Sequence, residues 1–385
     1  MEAMIDTATL ALSAVTSGFA LSGVMVAIRG IKGDNSRLYL ILIFLIFAGL
    51  ASLPLIIEFT PKFYVFYLPA MLPLLLVLPP AIYGFVKART RSDYTGTFRR
   101  RDSILPIMGI FTTLGYWLLP ETSKATMFIE GELPSGRFPA LLAIASFCLI
   151  LCWSVVSAGY LRKVIKQLTK FRRRLKSLYS NTQTYELRWI DWLIVFLVIL
   201  WLAAVTSLIT DNLGSRSLLS APVIYLLTAL MLLFLIAFIS PASLPKPVEL
   251  TNEENIDANK YARSALTNEH AKRLAKRIDV AMRKDALYLD ANLSLVKLSR
   301  HIGAVPNLVS QTLNEEIGST FYDYIAYWRI NAAKPLILIN EASILEISID
   351  VGFNSRSTFY KAFKRETGMT PKAFRQTDVS SENLN

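Results

Sequence analysis

Seven apolar segments crowd the first 240 residues of this chain, and no other feature restricts its fold as strongly. They run over 7–28, 38–59, 64–86, 104–119, 138–161, 190–209 and 220–239. A helix needs about 20 residues to cross a bilayer, and all but the fourth segment reach that length. Such segments must be helical, because lipid satisfies no backbone donor or acceptor. Hydrophobic residues make up 53% of the 385 and charged residues 18%, a balance more apolar than that of soluble chains. The excess lies before Ser240; the last third has ordinary soluble composition. The expected fold is all-α, with a polytopic seven-helix membrane domain over 1–240, a linker over 241–266, a soluble helical domain over 267–377 and a tail over 378–385.

Basic side chains sort by loop. One set of loops holds Arg29, Lys32 and Arg37, then Lys87, Arg89, Arg91, Arg99, Arg100 and Arg101, then the run from Arg162 to Lys176 with Arg188. The alternate set holds Lys62, Lys124, Arg137 and Arg216, beside Glu121, Glu130, Glu132 and Asp211. Cytoplasmic loops carry the Lys and Arg excess. The expected placement is therefore a multi-pass protein of the inner (cytoplasmic) membrane, with the N-terminus outside and the C-terminal domain in the cytoplasm after seven crossings. The opening MEAMID is acidic and lacks the basic region of a signal peptide, so the first segment is expected to be retained.

The third segment carries Pro69, Pro73, Pro79 and Pro80. Each removes a helical donor, so this segment is expected to be kinked or partly unwound. Neighbouring helices compensate for such breaks in membranes; a ligand-lined break is the functional alternative. No run of ionisable residues crosses the apolar segments, which disfavours a proton or ion pathway. The two cysteines, Cys148 and Cys152, sit one helical turn apart inside the fifth segment, a geometry unsuited to a disulfide. With His270 and His301 as the only histidines, no zinc site is expected. No nucleophile–base pair or phosphate loop supports an enzyme, and no cofactor is implied.

Just past the fifth segment, Val164, Leu168, Phe171, Leu175 and Leu178 step by four and three residues, an a/d seam over two heptads. Three readings remain open for this basic stretch: a homodimer seam, a helix resting on membrane lipid, or packing against the C-terminal domain. Three prolines in 240–248 then form a stiff spacer, and an acidic stretch leads to a helix expected from Thr267 or Asn268 to about Lys284, with Leu274, Ile278 and Met282 inward.

Two helical hairpins follow. In the first, Leu295, Leu298 and Ile302 form an apolar face, Gly303 turns the chain, and Pro306 starts a second helix. In the second, Ile344, Ile347 and Val351 form the apolar face, Gly352 permits the reversal, Ser355 caps the next helix, and Phe359 and Phe363 point back at the first. An exposed helix rich in cations and hydrogen-bonding groups, braced by a partner helix, is what major-groove reading requires. The candidate DNA-binding residues are Pro306, Asn307, Ser310, Gln311 and Asn314 on the first hairpin, and Ser355, Arg356, Ser357, Thr358, Tyr360, Lys361, Lys364 and Arg365 on the second. His301 is read as a supporting residue near a phosphate. The net charge of +12 suits polyanionic partners, double-stranded DNA or anionic lipid.

The second hairpin resembles the signature of the AraC/XylS family of transcription regulators. The resemblance rests on Val351-Gly352-Phe353, Ser357, Phe359, Phe363-Lys364, Gly368, Thr370-Pro371 and Phe374-Arg375. It extends over roughly 267–376 and implies two helix-turn-helix units entering adjacent major-groove segments, held apart by a linker helix. Residues 320–339 are similar to that helix, with Phe321, Tyr324, Ile325, Trp328 and Ala332 inward. Pro335 departs from the pattern and is expected to bend the helix. The implied function is a membrane-anchored, sequence-specific DNA-binding regulator whose membrane domain serves as sensor or anchor for a ligand or membrane partner. The rival reading is a membrane receptor or scaffold whose hairpins bind protein.

Overall fold

The computed structural model describes residues 5–29, 36–90, 100–182, 187–212, 221–239, 268–339 and 341–382. It forms two compact units. The first comprises Met1–Leu168 and Leu187–Val248; the second comprises Thr169–Glu186 and Glu249–Asn385. The end of the basic stripe therefore belongs with the C-terminal unit. The expected linker over 241–266 lies outside the described residues.

The first unit contains α1 (Thr7–Ile28), α2 (Ser36–Ala51), α3 (Leu53–Phe59), α4 (Pro61–Thr90), α5 (Ile104–Trp117), α6 (Glu121–Ala125), the start of α7 (Arg137–Leu178), α8 (Trp189–Asn212) and α9 (Ala221–Ile239). All seven apolar segments are thus helical. Three of the helices, α1, α4 and α7, are long and apolar enough to cross a membrane; two bent pairs raise the number to five. The pairs are α2 with α3, bent by 40°, and Arg100–Trp117 with Glu121–Glu130, bent by 120°. The described apolar stretches of α8 and α9, Trp189–Ala203 and Ala221–Ala237, are shorter. Among the described residues, helix length and composition therefore give three to five candidate spans where the sequence suggested seven.

Helix α1 is packed inside out relative to a helix in water. Its buried face is a column of small residues, Thr9, Ser13, Thr16, Ala20, Gly23 and Ala27, while Leu21, Met25 and Ile28 are exposed. Small residues let backbones approach closely: a Cβ on Gly23 would fall within 2.3 Å of the Phe44 ring. Ser13 Oγ donates to the Ala51 carbonyl at 2.5 Å, and Thr16 Oγ1 to that of Tyr225 at 3.2 Å, tying α1 to α2 and α9.

Helix α4 is not unwound in the third segment, and a neighbouring helix supplies the compensation expected there. It runs unbroken for 30 residues through all four prolines. Pro73 cannot donate to the carbonyl of Pro69, four residues earlier. Thr113 Oγ1 of α5 donates there instead, at 2.8 Å, as neighbours do for prolines in apolar surroundings. Gly109 permits the approach, since a Cβ there would lie 3.2 Å from Pro73 Cα.

The second unit adds α10 (Asn268–Arg283), a 3-10 turn at Leu287–Leu289, α11 (Leu295–His301), α12 (Pro306–Glu315), α13 (Phe321–Ile339), α14 (Ile344–Asp350), α15 (Arg356–Thr367) and α16 (Pro371–Glu382), which extends into the expected tail. It has two cores. Leu274, Ile278, Met282, Leu298, Val309, Leu313 and Phe321 build the first; Ile330, Ile337, Ile347, Val351, Phe359 and Phe363 build the second. Helix α13 contributes to both and continues across Pro335, whose side chain is exposed.

Candidate nucleic-acid interface

Each hairpin begins with a helix capped by its own sequence. Ser294 Oγ accepts from Lys297 N at the start of α11. Ser343 and Glu346 form a reciprocal capping box at the start of α14, and the backbone N–H that Glu346 accepts holds its carboxyl below the usual glutamate range. The turns share one hydrogen-bond pattern: Gly303 N and Ala304 N donate to the carbonyls of Arg300 and Ser299, and Gly352 N and Phe353 N to those of Ile349 and Ser348. Both glycines sit at positive φ, +61° and +91°, the left-handed region that a Cβ resists. Proline opens α12, and Ser355 Oγ caps α15 by accepting from Thr358 N.

The two second helices correspond at a fixed offset. Buried Val309, Thr312 and Leu313 are matched fifty residues later by Phe359, Ala362 and Phe363. The same offset aligns Asn307, Ser310, Gln311 and Asn314 with Ser357, Tyr360, Lys361 and Lys364, and all eight side chains are exposed or half-buried. These faces differ chemically. That of α12 is neutral and hydrogen-bonding; that of α15 is cationic.

Several side chains in these faces are already engaged. Gln311 Nε2 donates to Glu315 Oε2 at 2.9 Å, and Asn314 Nδ2 to the Ser310 carbonyl at 2.8 Å. Arg356 folds over Tyr360, donating to its hydroxyl at 3.0 Å with the guanidinium 5.0 Å from the ring centre. One expectation needs correction. Thr358 is only 8% exposed, because it sits one position before Phe359 at the inward edge and its hydroxyl lies 3.0 Å from that of Ser355; it does not belong to the outer face. Arg365 is tied to Asp323 at 2.6 Å and Glu366 at 2.9 Å, so it braces α15 against α13. His301 pairs with Asp285 at 2.7 Å, a structural contact. Pro306 and Ser355 sit at helix starts, where their first role is to set the backbone.

Helix α13 holds the hairpins together. Phe321, Tyr324 and Ile325 are buried as expected, while Trp328 and Ala332 are half-buried against the two cores. The residue that sequence reasoning missed is Arg329, 1% exposed. Its Nε donates to the Tyr288 carbonyl at 2.7 Å and its Nη2 to that of Asp290 at 2.8 Å and to Ser180 Oγ at 3.3 Å. Its guanidinium stands 5.5 Å from the Phe353 ring centre. Burial lowers its pKa to about 10, which leaves it charged at neutral pH. A charged residue in mid-helix carries no sequence signal of such a role; an arginine on the inward side of the linker helix, one residue past Trp328, was the available hint.

The end of the basic stripe packs within the C-terminal unit. Val164, Leu168 and Leu175 are buried within the single chain. Leu178 packs against the first core of the second unit, and Lys176 Nζ lies 5.6 Å from the Tyr322 ring centre. Just beyond, Ser180 N and Oγ both donate to the Leu293 carbonyl, at 3.2 and 2.7 Å. At the end of the stripe these contacts support the third reading, packing within the C-terminal unit.

Residues 298–377 match the family model described as a helix-turn-helix domain. The chain is 32% identical over 102 residues to the bifunctional transcriptional activator/DNA repair enzyme AdaA of Bacillus subtilis (strain 168), covering 26% of this chain and 48% of that protein. It is 32% identical over 89 residues to an uncharacterized HTH-type transcriptional regulator of Staphylococcus aureus (strain COL), covering 23% of this chain and 12% of that one. Among solved structures it is similar to the C-terminal domain of AraT, a response regulator from Geobacillus stearothermophilus, at 24% identity and a TM-score of 0.25, over 27% of this chain and 84% of that one. The chain spans less than half the length of both curated relatives. With its hairpins, turns and caps in place, the segment 298–377 is a helix-turn-helix domain.

Proposed function

We propose that this protein is a membrane-anchored, sequence-specific DNA-binding transcription regulator, with the first unit as sensor or anchor. The observation that carries the DNA-binding half is the pair of matched faces, Asn307, Ser310, Gln311 and Asn314 on α12 and Arg356, Ser357, Tyr360, Lys361 and Lys364 on α15. Gln and Asn suit adenine edges and Arg suits guanine, while lysines hold phosphate. Two of the relatives are named as transcriptional regulators. A protein partner would call for large apolar side chains on these faces, and the outward positions hold polar and cationic ones.

The membrane half of the proposal is supported by the inverted packing of the first unit. Phe111 is 69% and Val155 75% exposed, apolar surface that water would penalise by roughly 25 cal/mol per Å². Seven crossings would follow if both bent pairs and the shorter α8 and α9 each span once. The basic loops would then face the cytoplasm, against anionic lipid, together with the second unit.

Selection of bound sequences from random duplex DNA by the full chain in lipid nanodiscs tests the DNA-binding half. The expected result is an enriched site with two conserved blocks about one helical turn, 10–10.5 bp, apart. Recovery of unenriched DNA would reject sequence-specific reading.

A further inference from the structure

The two reading helices are unequally supplied with charge. The outer face of α15 carries Arg356, Lys361 and Lys364, whereas that of α12 presents Asn307, Ser310, Gln311 and Asn314. Contacts to phosphate fix where a reading helix lies on the duplex and supply much of its affinity. A neutral helix needs them from a neighbouring element.

Helix α10 and the turn of the first hairpin form a pocket beside the start of α12. His270 and Arg277 of α10 line it, with Arg300 of α11, Gly303 of the turn, and Val305 and Leu308 where α12 begins. His270, Arg277 and Arg300 are all exposed, and among the described residues no carboxylate lines the pocket. Arg277 Nη2 reaches the Gly303 carbonyl at 3.4 Å, a long contact that leaves most of the five guanidinium donors available. Several other cations of this unit are matched: Arg283 by Asp279, Lys297 by Asp290, His301 by Asp285, and Arg365 by Asp323 and Glu366. Among the described residues, Arg277 and Arg300 have no such partner. Two unmatched guanidinium groups at one concave site repel each other, and an oxyanion between them removes that repulsion. Their planar forks suit phosphate oxygens in particular. Asn307 precedes Leu308 of the pocket wall in the first turn of α12, so an oxyanion held here borders the bases that this end of the helix reads.

We infer that this pocket seats one phosphodiester of the DNA backbone beside the block read by α12, with Arg277 and Arg300 as its ligands and His270 as a third partner. The inference rests on the proposed function and gives α12 the phosphate contact that its own face lacks.

The full chain in nanodiscs of neutral phosphatidylcholine can be titrated with the duplex it selects, and with copies carrying one uncharged methylphosphonate linkage at each position in turn. In the wild type, one linkage flanking the block whose preference Gln311→Ala relaxes should weaken binding about tenfold. Arg277→Gln with Arg300→Gln should weaken the unmodified duplex by a similar factor and lower the salt slope by about one unit. Sequence preference should survive, and sensitivity to that one linkage should vanish. Lys276→Gln, one residue from Arg277 and outside the pocket, should keep that sensitivity. If the double variant fails to fold, Arg300→Gln by itself makes the same comparison. A wild type that selects DNA while the variant stays sensitive to the same linkage overturns the inference and leaves the proposed function standing. A wild type that selects no DNA overturns both. The titrations are repeated in discs containing phosphatidylglycerol. Variants that match the wild type in neutral discs and differ from it only in these anionic ones would assign the pocket to lipid headgroups and overturn the inference.

Discussion

Arg329 Nη2 donates to the backbone carbonyl of Asp290 at 2.8 Å, and through this bond the helix shared by both hairpins grips the loop that leads into the first. The same guanidinium faces Phe353 at the turn of the second hairpin. One side chain therefore touches both halves of the domain, and the spacing of the two reading helices depends on it. Asp290 serves the arrangement from the other side. Burial works to raise its carboxyl, but Lys297, the Asn292 N–H and the Arg329 charge together hold it below the usual aspartate range.

Replacing Arg329 with Met should destabilise the C-terminal unit by about 1–3 kcal/mol for each carbonyl left unpaired. Arg329→Lys should be intermediate, because an ammonium cannot span separated acceptors as a planar fork does. Hydrogen exchange in the full chain checks this: amides of 295–302 and 344–350 should lose protection together.

The two turn glycines should respond unequally. A Cβ on Gly352 would stand 2.8 Å from the carbonyl oxygens of both Leu289 and Tyr288, whereas one on Gly303 meets only the flexible end of Arg277 at 3.3 Å. Gly303→Ala should cost about 1–2 kcal/mol from its left-handed backbone alone, and Gly352→Ala clearly more. Comparable losses for the pair in thermal unfolding would contradict the close approach.

Base and phosphate contacts should separate by mutation. Gln311→Ala and Arg356→Ala should each cost about 1–3 kcal/mol at the selected site and relax preference at one or two positions. Lys364→Ala should weaken all sequences alike and reduce the salt slope by about one unit. Thr358→Val, being buried, should leave sequence preference unchanged. Binding isotherms on the selected and scrambled duplexes at several salt concentrations measure all four.

The end of α7 should matter to the C-terminal unit. Leu178→Asp places a charge against the first core, where burial without a partner is costly. Protection of 295–315 against exchange should fall, while crosslinking between copies in membranes should be unchanged.

Topology has its own test. A reporter active only outside the cytoplasm should be silent when fused after Asn385 and active when inserted within 121–137. A bright C-terminal fusion would reject the proposed orientation.

Much of this protein was legible in its sequence, because the signals were local. Apolar runs marked the helices of the first unit. Ser343, Ser355, Pro306, Gly303 and Gly352 marked the caps and turns of the hairpins, since capping and positive φ depend on a residue and its near neighbours. Spacing also placed Phe359 and Phe363 correctly inward. What failed depended on distant partners. Compensation of the prolines by a neighbouring helix was expected, but nothing near Pro73 in sequence announces that it is Thr113, forty residues on, that donates to the Pro69 carbonyl. The stripe at Leu175 and Leu178 kept three readings open because periodicity shows that a face is apolar without showing what covers it. Thr358 read as a contact because a threonine at the edge of a helix face is assigned by one residue of register. Arg329 could not be read at all: a buried charge is tolerable only when carbonyls remote in sequence converge on it, and only the tertiary structure brings Tyr288, Asp290 and Ser180 to the same place.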